Sequence, residues 1–342
     1  MNRDEKRPKW WYEETDPVGV DYSSAELVQR YDDRHQKLRD YEKNSEIIMN
    51  DTILDAKNLT KRFDTKIVLD TISFDVKKGE IFGLLGPNGA GKTTMIRIIL
   101  DIIKADNGSV NIFGDIFNER LKERIGYLPE ERGLYQKTTI FECLKYFAEL
   151  KSVKKSETAI DFWLNKVELY EYKYKRVEEL SKGMQQKIQL VAAFIHNPEL
   201  LILDEPFAGL DPVNTKLIKD ILLDLKRVGK TIILSTHQMD QVERMCDRIL
   251  MVNRGKRVLY GSLAEIKSNY KETVVVEYEG DLKQVEGIKK IEDYGNYAEL
   301  CLDVDTDPQE VLKKLMAVVG VRRFELKAPS LNEIFIEVVE NA

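Results

Sequence analysis

Hydrophobic residues follow three different rhythms along the chain. Between residues 53 and 265, short runs such as EIFGLLG (80–86), LLILDEP (200–206) and TIILSTH (231–237) are almost continuously apolar. Runs of that length predict strands buried on both faces, as in a parallel sheet. They alternate with helical patterns, among them TTMIRIILDII and KGMQQKIQLVAAFIH. Alternating strands and helices predict an α/β domain. Beyond residue 265, TVVVEYEG, YAELCLDV and VRRFELKA predict strands, DPQEVLKKLMAVVG an N-capped helix, and PSLNEIFIEVVE a last helix starting near Ser330. This is the pattern of a small α+β module. Ahead of the α/β region, Leu27, Tyr31, Leu38, Tyr41 and Ile48 fall on one stripe of a charged helix. The expected division is an N-terminal extension at 1–48, an α/β domain at 49–265 and an accessory module at 266–342.

Composition narrows the function classes. With 342 residues the chain exceeds one ordinary domain. Its 53 Lys and Arg against 59 Asp and Glu give a net charge of −6, which argues against general nucleic-acid binding. Cys143, Cys246 and Cys301 have no metal-site spacing and suit reduced thiols in a cytosolic protein. No apolar run approaches the ~18 residues of a membrane span, and the first residues carry no apolar signal core. Any membrane role is therefore expected to pass through a partner. MNDTILDAKNLTKRF, from Met49, reads like a natural chain start, so residues 1–48 are expected to be a fusion or extension.

The strongest chemical signal is GPNGAGKTT, comprising Gly86, Pro87, Asn88, Gly89, Ala90, Gly91, Lys92, Thr93 and Thr94. It fits G-x-x-x-x-G-K-[ST], follows a predicted strand and opens a predicted helix. Glycines let backbone N–H groups turn toward a β-phosphate, and the helix N-terminus adds partial positive charge. Lys92 is expected on the β- and γ-phosphates and the Thr93 hydroxyl on Mg²⁺. LLILDEP places Asp204 at a strand end, suited to Mg²⁺, and Glu205 where a carboxylate polarises an attacking water.

From about residue 53 to 265 the chain resembles the nucleotide-binding domain of the ATP-binding cassette (ABC) family, with motifs in that family's order. The resemblance implies a P-loop NTPase fold, α/β with a helical subdomain, acting on ATP with Mg²⁺. It places Phe63 against adenine, Glu130 in GYLPEE at the position of a metal-contacting glutamine, and His237 in LSTHQMD on the γ-phosphate. LSKGMQQK corresponds to the signature loop LSGGQ, with Ser181 and Gly183 matching and Lys182 and Met184 departing. AGLDP, Ala208 to Pro212, matches the D-loop and brings Asp211 to an opposing subunit. Ser181 also suits the N-cap of the helix that follows.

Residues 266–342 resemble the extension on drug- or sodium-exporter-type cassette ATPases, APSLNEIFIEVVE being the most recognisable part. The resemblance implies the ATPase subunit of a membrane transporter, an exporter by type. Such a subunit works as a homodimer or with a similar ATPase subunit, against separate transmembrane permease subunits. It sits peripherally on the cytoplasmic face of the membrane. Glu205 and His237 are the expected catalytic pair, Ser181, Gly183 and Asp211 the expected contacts in trans, and no nucleic-acid partner is expected. A soluble cassette ATPase acting on ribosomes or DNA is the alternative. The chain has a single GKT, and only 204 − 92 = 112 positions separate Lys92 from Asp204, which leaves no room for a long coiled coil. A P-loop kinase or GTPase would not need the signature loop. Separately, VDYSSAELVQRYDDRHQKLRD resembles the leading helix of some S-adenosylmethionine-dependent methyltransferases. The glycine-rich catalytic part is absent, so methyl transfer is not implied.

Overall fold

A computed structural model describes residues 51–131, 133–270, 273–282, 285–303 and 306–340. The helical stripe, the methyltransferase-like stretch and Met49 lie outside the described residues. The described chain opens with a long hairpin, β1 (Thr52–Phe63) and β2 (Lys66–Lys77), then β3 (Ile81–Leu85) and α1 (Lys92–Ile99). β4 (Asn107–Ile112), β5 (Asp115–Ile116), α2 (Glu119–Lys122) and β6 (Ile125–Leu128) follow. Three helices come next, α3 (Ile140–Leu150), α4 (Ser156–Lys166) and α5 (Lys182–Phe194). The domain then alternates β7 (Leu200–Asp204), α6 (Pro212–Arg227), β8 (Thr231–Thr236), α7 (Met239–Glu243), β9 (Arg248–Asn253), β10 (Lys256–Ser262) and α8 (Leu263–Ser268).

The central sheet has the order β10-β9-β3-β8-β7-β6. β9, β3, β8, β7 and β6 run parallel, with β10 antiparallel at one edge. Both faces of this sheet are covered, which is why its strands read as continuous apolar runs. Leu201, Leu203, Ile232 and Leu234 pack toward Ile188, Val191 and Phe194 of α5 and the helical subdomain. Alternate residues Phe82, Leu84, Leu200, Ile202 and Ile233 pack toward Met95, Ile96 and Ile99 of α1 and toward Leu54, Leu59, Ile72 and Phe74 of the hairpin. The second sheet, β2-β1-β4-β5, is antiparallel. Arg248 ties it to the first, its guanidinium donating to Asp75 Oδ2 (3.0 Å), Glu80 Oε1 (3.2 Å) and Tyr260 Oη (2.6 Å).

Helix α1 ends at Ile99, earlier than TTMIRIILDII predicts. Asp101 takes φ 58°, a left-handed conformation that ends the helical ladder and that Asp tolerates better than most residues. α3 begins with a capping box between Thr139 and Glu142, the device that starts a helix at a polar position.

The C-terminal part forms a third, antiparallel sheet of β11 (Thr273–Glu279), β12 (Ile288–Asp293), β13 (Tyr297–Leu302) and β14 (Gly320–Lys327), with α9 (Pro308–Met316) capped by Asp307. Its order is β12-β13-β11-β14, around a core of Val274, Val276, Ala298, Leu300, Val311 and Leu315. Strand β12, IKKIED, carries too many charges to read as a strand on its own. The last helix, α10 (Leu331–Glu340), does not join this core. Leu331 and Ile334 are fully buried in the α/β core beside Val242 and Met245. Glu243 of α7 accepts from the Leu331 backbone N–H and from Lys267 Nζ (3.2 Å). The C-terminal residues are thus stitched back onto the α/β core by their final helix.

Two outcomes follow from this packing. Leu331→Ala leaves a cavity inside the α/β core and is expected to cost about 2–4 kcal/mol. Urea melts should show it as a lower midpoint of the main transition, not as early loss of a separate tail transition. His196 donates from Nε2 to Ile125 O (3.1 Å), and burial, with Lys151 and Lys230 adding to it, pushes its pKa from 6.5 down to about 4. The unfolded chain then binds the proton first, so this contribution is complete above pH 6.5 and is lost as pH falls toward 4. The loss amounts to about 3 kcal/mol at most. Urea midpoints of wild type and His196→Gln measured from pH 7 to 4.5 should diverge least at the acid end.

Candidate nucleotide site

The parallel sheet brings the chemistry to one edge. Leu85 pairs with Thr236 and Asp204 with Ser235, so the C-terminal ends of β3, β8 and β7 lie side by side. Crevices at such strand ends are where open α/β sheets bind ligands. Each strand end hands over to a loop with reactive groups: Gly86 onward from β3, Glu205 from β7 and His237 from β8.

The glycine loop leaves no room for side chains at two points. A Cβ on Gly86 would stand 2.1 Å from Val252 O, and its φ is 148°. At Gly91, φ 111°, a Cβ would stand 2.8 Å from Val68 O. Pro87, Asn88 and Gly89 are exposed, Ala90 is buried, and Thr93 and Thr94 are half-buried in the first turn of α1. Lys92 is 6% exposed and folds back under the loop. Its Nζ donates to Gly86 O (2.8 Å) and Pro87 O (3.3 Å) and lies 3.9 Å from Glu205 Oε1. Burial lowers its pKa, and the carboxylates of Glu205, Asp204 and Glu130 oppose that. An anion placed beside this ammonium gains more than it would in water, because the site is already desolvated.

Asp204 and Glu205 are adjacent in sequence and differ in what holds them. Asp204 is 1% exposed; Ser235 Oγ donates to its Oδ1 at 2.5 Å, and its Oδ2 is buried without a partner. A buried acceptor of that kind is costly unless something meets it. No group of three or more His, Cys, Asp or Glu that could hold a metal occurs among the described residues. One buried carboxylate with a free oxygen suits a hard cation whose other ligands are phosphates and water. Glu205 has φ 50°, a strained value for a residue with a side chain, supported by its N–H bonding to Ser235 O (3.0 Å). Its carboxylate accepts from Thr236 Oγ1 (3.1 Å) and from the His237 backbone N–H (3.1 Å). His237 Nδ1 lies 2.9 Å from the same carboxylate. The His237 side chain is 47% exposed and so faces the open side of the site.

The structure therefore gathers Lys92 and His237 around the Glu205 carboxylate, with Asp204 held beside them by Ser235. Phe63 stands apart at the hairpin tip, 48% exposed with Lys61 Nζ 5.5 Å from its ring centroid, and is not a core residue. Glu130 is exposed and near enough to Lys92 to act on its charge. Ser181 caps α5 by accepting from Met184 N–H (3.3 Å). Gly183 packs near Gly209 and Leu210, where a Cβ would stand 3.4 Å from Gly209 O. Among the described residues, no hydrogen bond or ion pair links Ser181 or Gly183 to the glycine loop of the same chain. Asp211 caps α6, accepting from Asn214 N–H at 2.9 Å.

Sequence reasoning passed over Ser235 and Thr236, which orient the two acids, and the glutamines of α5. Gln186 donates to Pro206 O (3.2 Å) and Gln189 to Glu131 O (3.0 Å), so the signature helix touches the loops after both β7 and β6. The run QQKIQ, polar on a helix otherwise buried, was the signal available.

Proteins of similar sequence and fold carry one family description. A profile described as ABC transporter matches residues 69–208, and one described as ATP-binding protein DrrA1-3-like, C-terminal domain, matches residues 261–339. An uncharacterized ABC transporter ATP-binding protein of Methanocaldococcus jannaschii is 54% identical over 213 residues, 62% of this chain and 78% of its own. A Nod factor export ATP-binding protein I of Rhizobium sp. is 34% identical over 299 residues, covering 85% and 98%. The solved structure of cbiO1 from Clostridium perfringens, part of the ABC transporter complex cbiONQ, superposes with a TM-score of 0.58 at 27% identity, covering 64% of this chain and 91% of that one. A glycine-rich loop, two differently held carboxylates and a histidine at one end of the sheet thus accompany these matches, and the chain belongs to the ATP-binding proteins of ABC transporters, a family of ATPases.

Proposed function

We propose that this chain is the ATP-hydrolysing subunit of an export-type ABC transporter, acting as a dimer on separate transmembrane permease subunits from the cytoplasmic face of the membrane. The observation that carries the hydrolytic part is the grouping of Lys92, Asp204, Glu205 and His237 at the ends of β3, β7 and β8. No helix among the described residues is long and apolar enough to cross a membrane, and the similarity to cbiO1, part of the transporter complex cbiONQ, supports separate membrane subunits. The exporter reading rests on the C-terminal match and on the similarity to a Nod factor export protein.

In the working cycle, backbone N–H groups of Gly86 to Thr94 cradle the β-phosphate, and Lys92 leaves its carbonyl partners to reach the β- and γ-phosphates. Asp204 Oδ2 and Thr93 Oγ1 are the residues that would hold Mg²⁺, with Glu130 beside them. When bound, the cation neutralises charge developing on the phosphates. Glu205 orients and polarises the attacking water and takes up its proton as the bond to the γ-phosphorus forms and the bond from that phosphorus to the β–γ bridging oxygen breaks, releasing ADP and phosphate. His237 exchanges its contact with Glu205 for one with the γ-phosphate. Phe63 offers a π-face to adenine. Gly183 lies against its own D-loop, and among the described residues neither it nor Ser181 is bonded to its own glycine loop, which supports their meeting the nucleotide of a second subunit, with Asp211 at the same contact.

Glu205→Gln is expected to bind ATP normally, lose about 10²-fold or more in kcat and accumulate a stable dimer, read by size exclusion with ATP. Wild-type turnover in that variant would end the assignment of Glu205. Ser181→Arg and Lys92→Ala chains should each be inactive alone. Mixing them should recover hydrolysis at the one intact composite site of each mixed dimer. Mixed dimers that form and bind ATP but never turn over would remove the support for action in trans.

A further inference from the structure

Thr236 is the buried residue immediately before His237, 1% exposed at the end of β8. Its hydroxyl has two neighbours: it accepts from Gln238 N–H (3.1 Å), so its own hydrogen is left to donate to Glu205 Oε2 (3.1 Å). The other oxygen, Oε1, receives both contacts from His237 and faces Lys92 at 3.9 Å. The two halves of the Glu205 carboxylate are therefore held by different kinds of group. Oε1 meets an exposed imidazole and a cation that the cycle above needs for phosphate. Oε2 meets a hydroxyl locked inside the sheet edge.

We propose that Thr236 is a positioning residue for ATP hydrolysis, fixing the orientation of the Glu205 carboxylate while His237 and Lys92 move to the phosphates. This rests on the reading of Glu205 as the base. Once the imidazole turns away, the Thr236 hydroxyl and the His237 backbone N–H are the contacts that still hold the carboxylate. Without the hydroxyl, the carboxylate keeps only the His237 backbone N–H on Oε1 and is free to pivot about it, off the line of attack. A base displaced by even about 1 Å loses rate steeply, whereas nucleotide affinity, set by the glycine loop, does not depend on it. Ser235 does the parallel task one residue earlier, holding Asp204 Oδ1 at 2.5 Å and leaving Oδ2 open. Successive residues of a strand point to opposite faces, so two neighbouring hydroxyls reach two neighbouring carboxylates without competing. The strained φ of 50° at Glu205 makes an anchor the more necessary, because the loop alone does not dictate where the side chain ends.

Thr236→Val keeps the β-branched shape and removes the hydroxyl; Thr236→Ser keeps the hydroxyl. Steady-state hydrolysis with MgATP should show kcat down about tenfold in the valine variant, with KM and ATP affinity within about twofold of wild type and the serine variant near wild type. Wild-type kcat in Thr236→Val would overturn the proposal. So would equal damage in both variants, or loss of ATP binding or of folding in the valine variant, since each makes residue 236 a packing position. Glu205→Gln serves as the control: if it is inactive while Thr236→Val is unaffected, only the positioning role fails. If Glu205→Gln itself turns over normally, the base assignment fails first.

Discussion

The register between β3, β8 and β7 is the constraint on which the site depends. Leu85 lies across from Thr236, and Asp204 across from Ser235, so three loops of unrelated sequence begin at the same height. A slip of one residue between β7 and β8 would exchange the faces of one strand's side chains and part Asp204 from Ser235 and Glu205 from Thr236. Both faces of these strands are sealed by apolar packing, so a slip would also expose Leu203 or Leu234 to the wrong layer. Core and site are thus specified by the same pairing.

Within that frame, charge is organised by what remains unsatisfied. Lys92 is buried with only carbonyl partners and a carboxylate at 3.9 Å, and Asp204 keeps a buried oxygen with no partner. Neither arrangement is the most stable one available to those side chains. In the cycle proposed above, each becomes favourable when phosphates and a cation arrive, because their charges meet groups already stripped of water. The strain at Glu205 belongs to the same pattern of groups held short of their own optimum.

The C-terminal residues are more closely joined to this machinery than a separate module would be. Their sheet has its own core, yet α10 buries Leu331 and Ile334 in the α/β domain and its first N–H is met by Glu243, on the short helix that follows His237. The sequence pattern marked the start of that helix at Ser330 correctly. What it lacked was any sign that the helix's apolar stripe would be shared with the neighbouring core, since an amphipathic stripe does not name its partner.

Much was legible without coordinates. GPNGAGKTT between a strand and a helix, the continuous apolar runs and the order of LSKGMQQK, LLILDEP and LSTHQMD determined the fold class, the family and the nucleotide chemistry, because backbone cradles and doubly buried strands leave strong local signatures. Tertiary structure alone decided which groups face each other across strands. Thr236 on Glu205, Ser235 on Asp204, Gln186 and Gln189 on two loops, and Gly183 on its own D-loop depend on register and packing between segments 20 or more residues apart. The charged strand β12 escaped for the same reason: its pairing with β13, not its own alternation, makes it a strand.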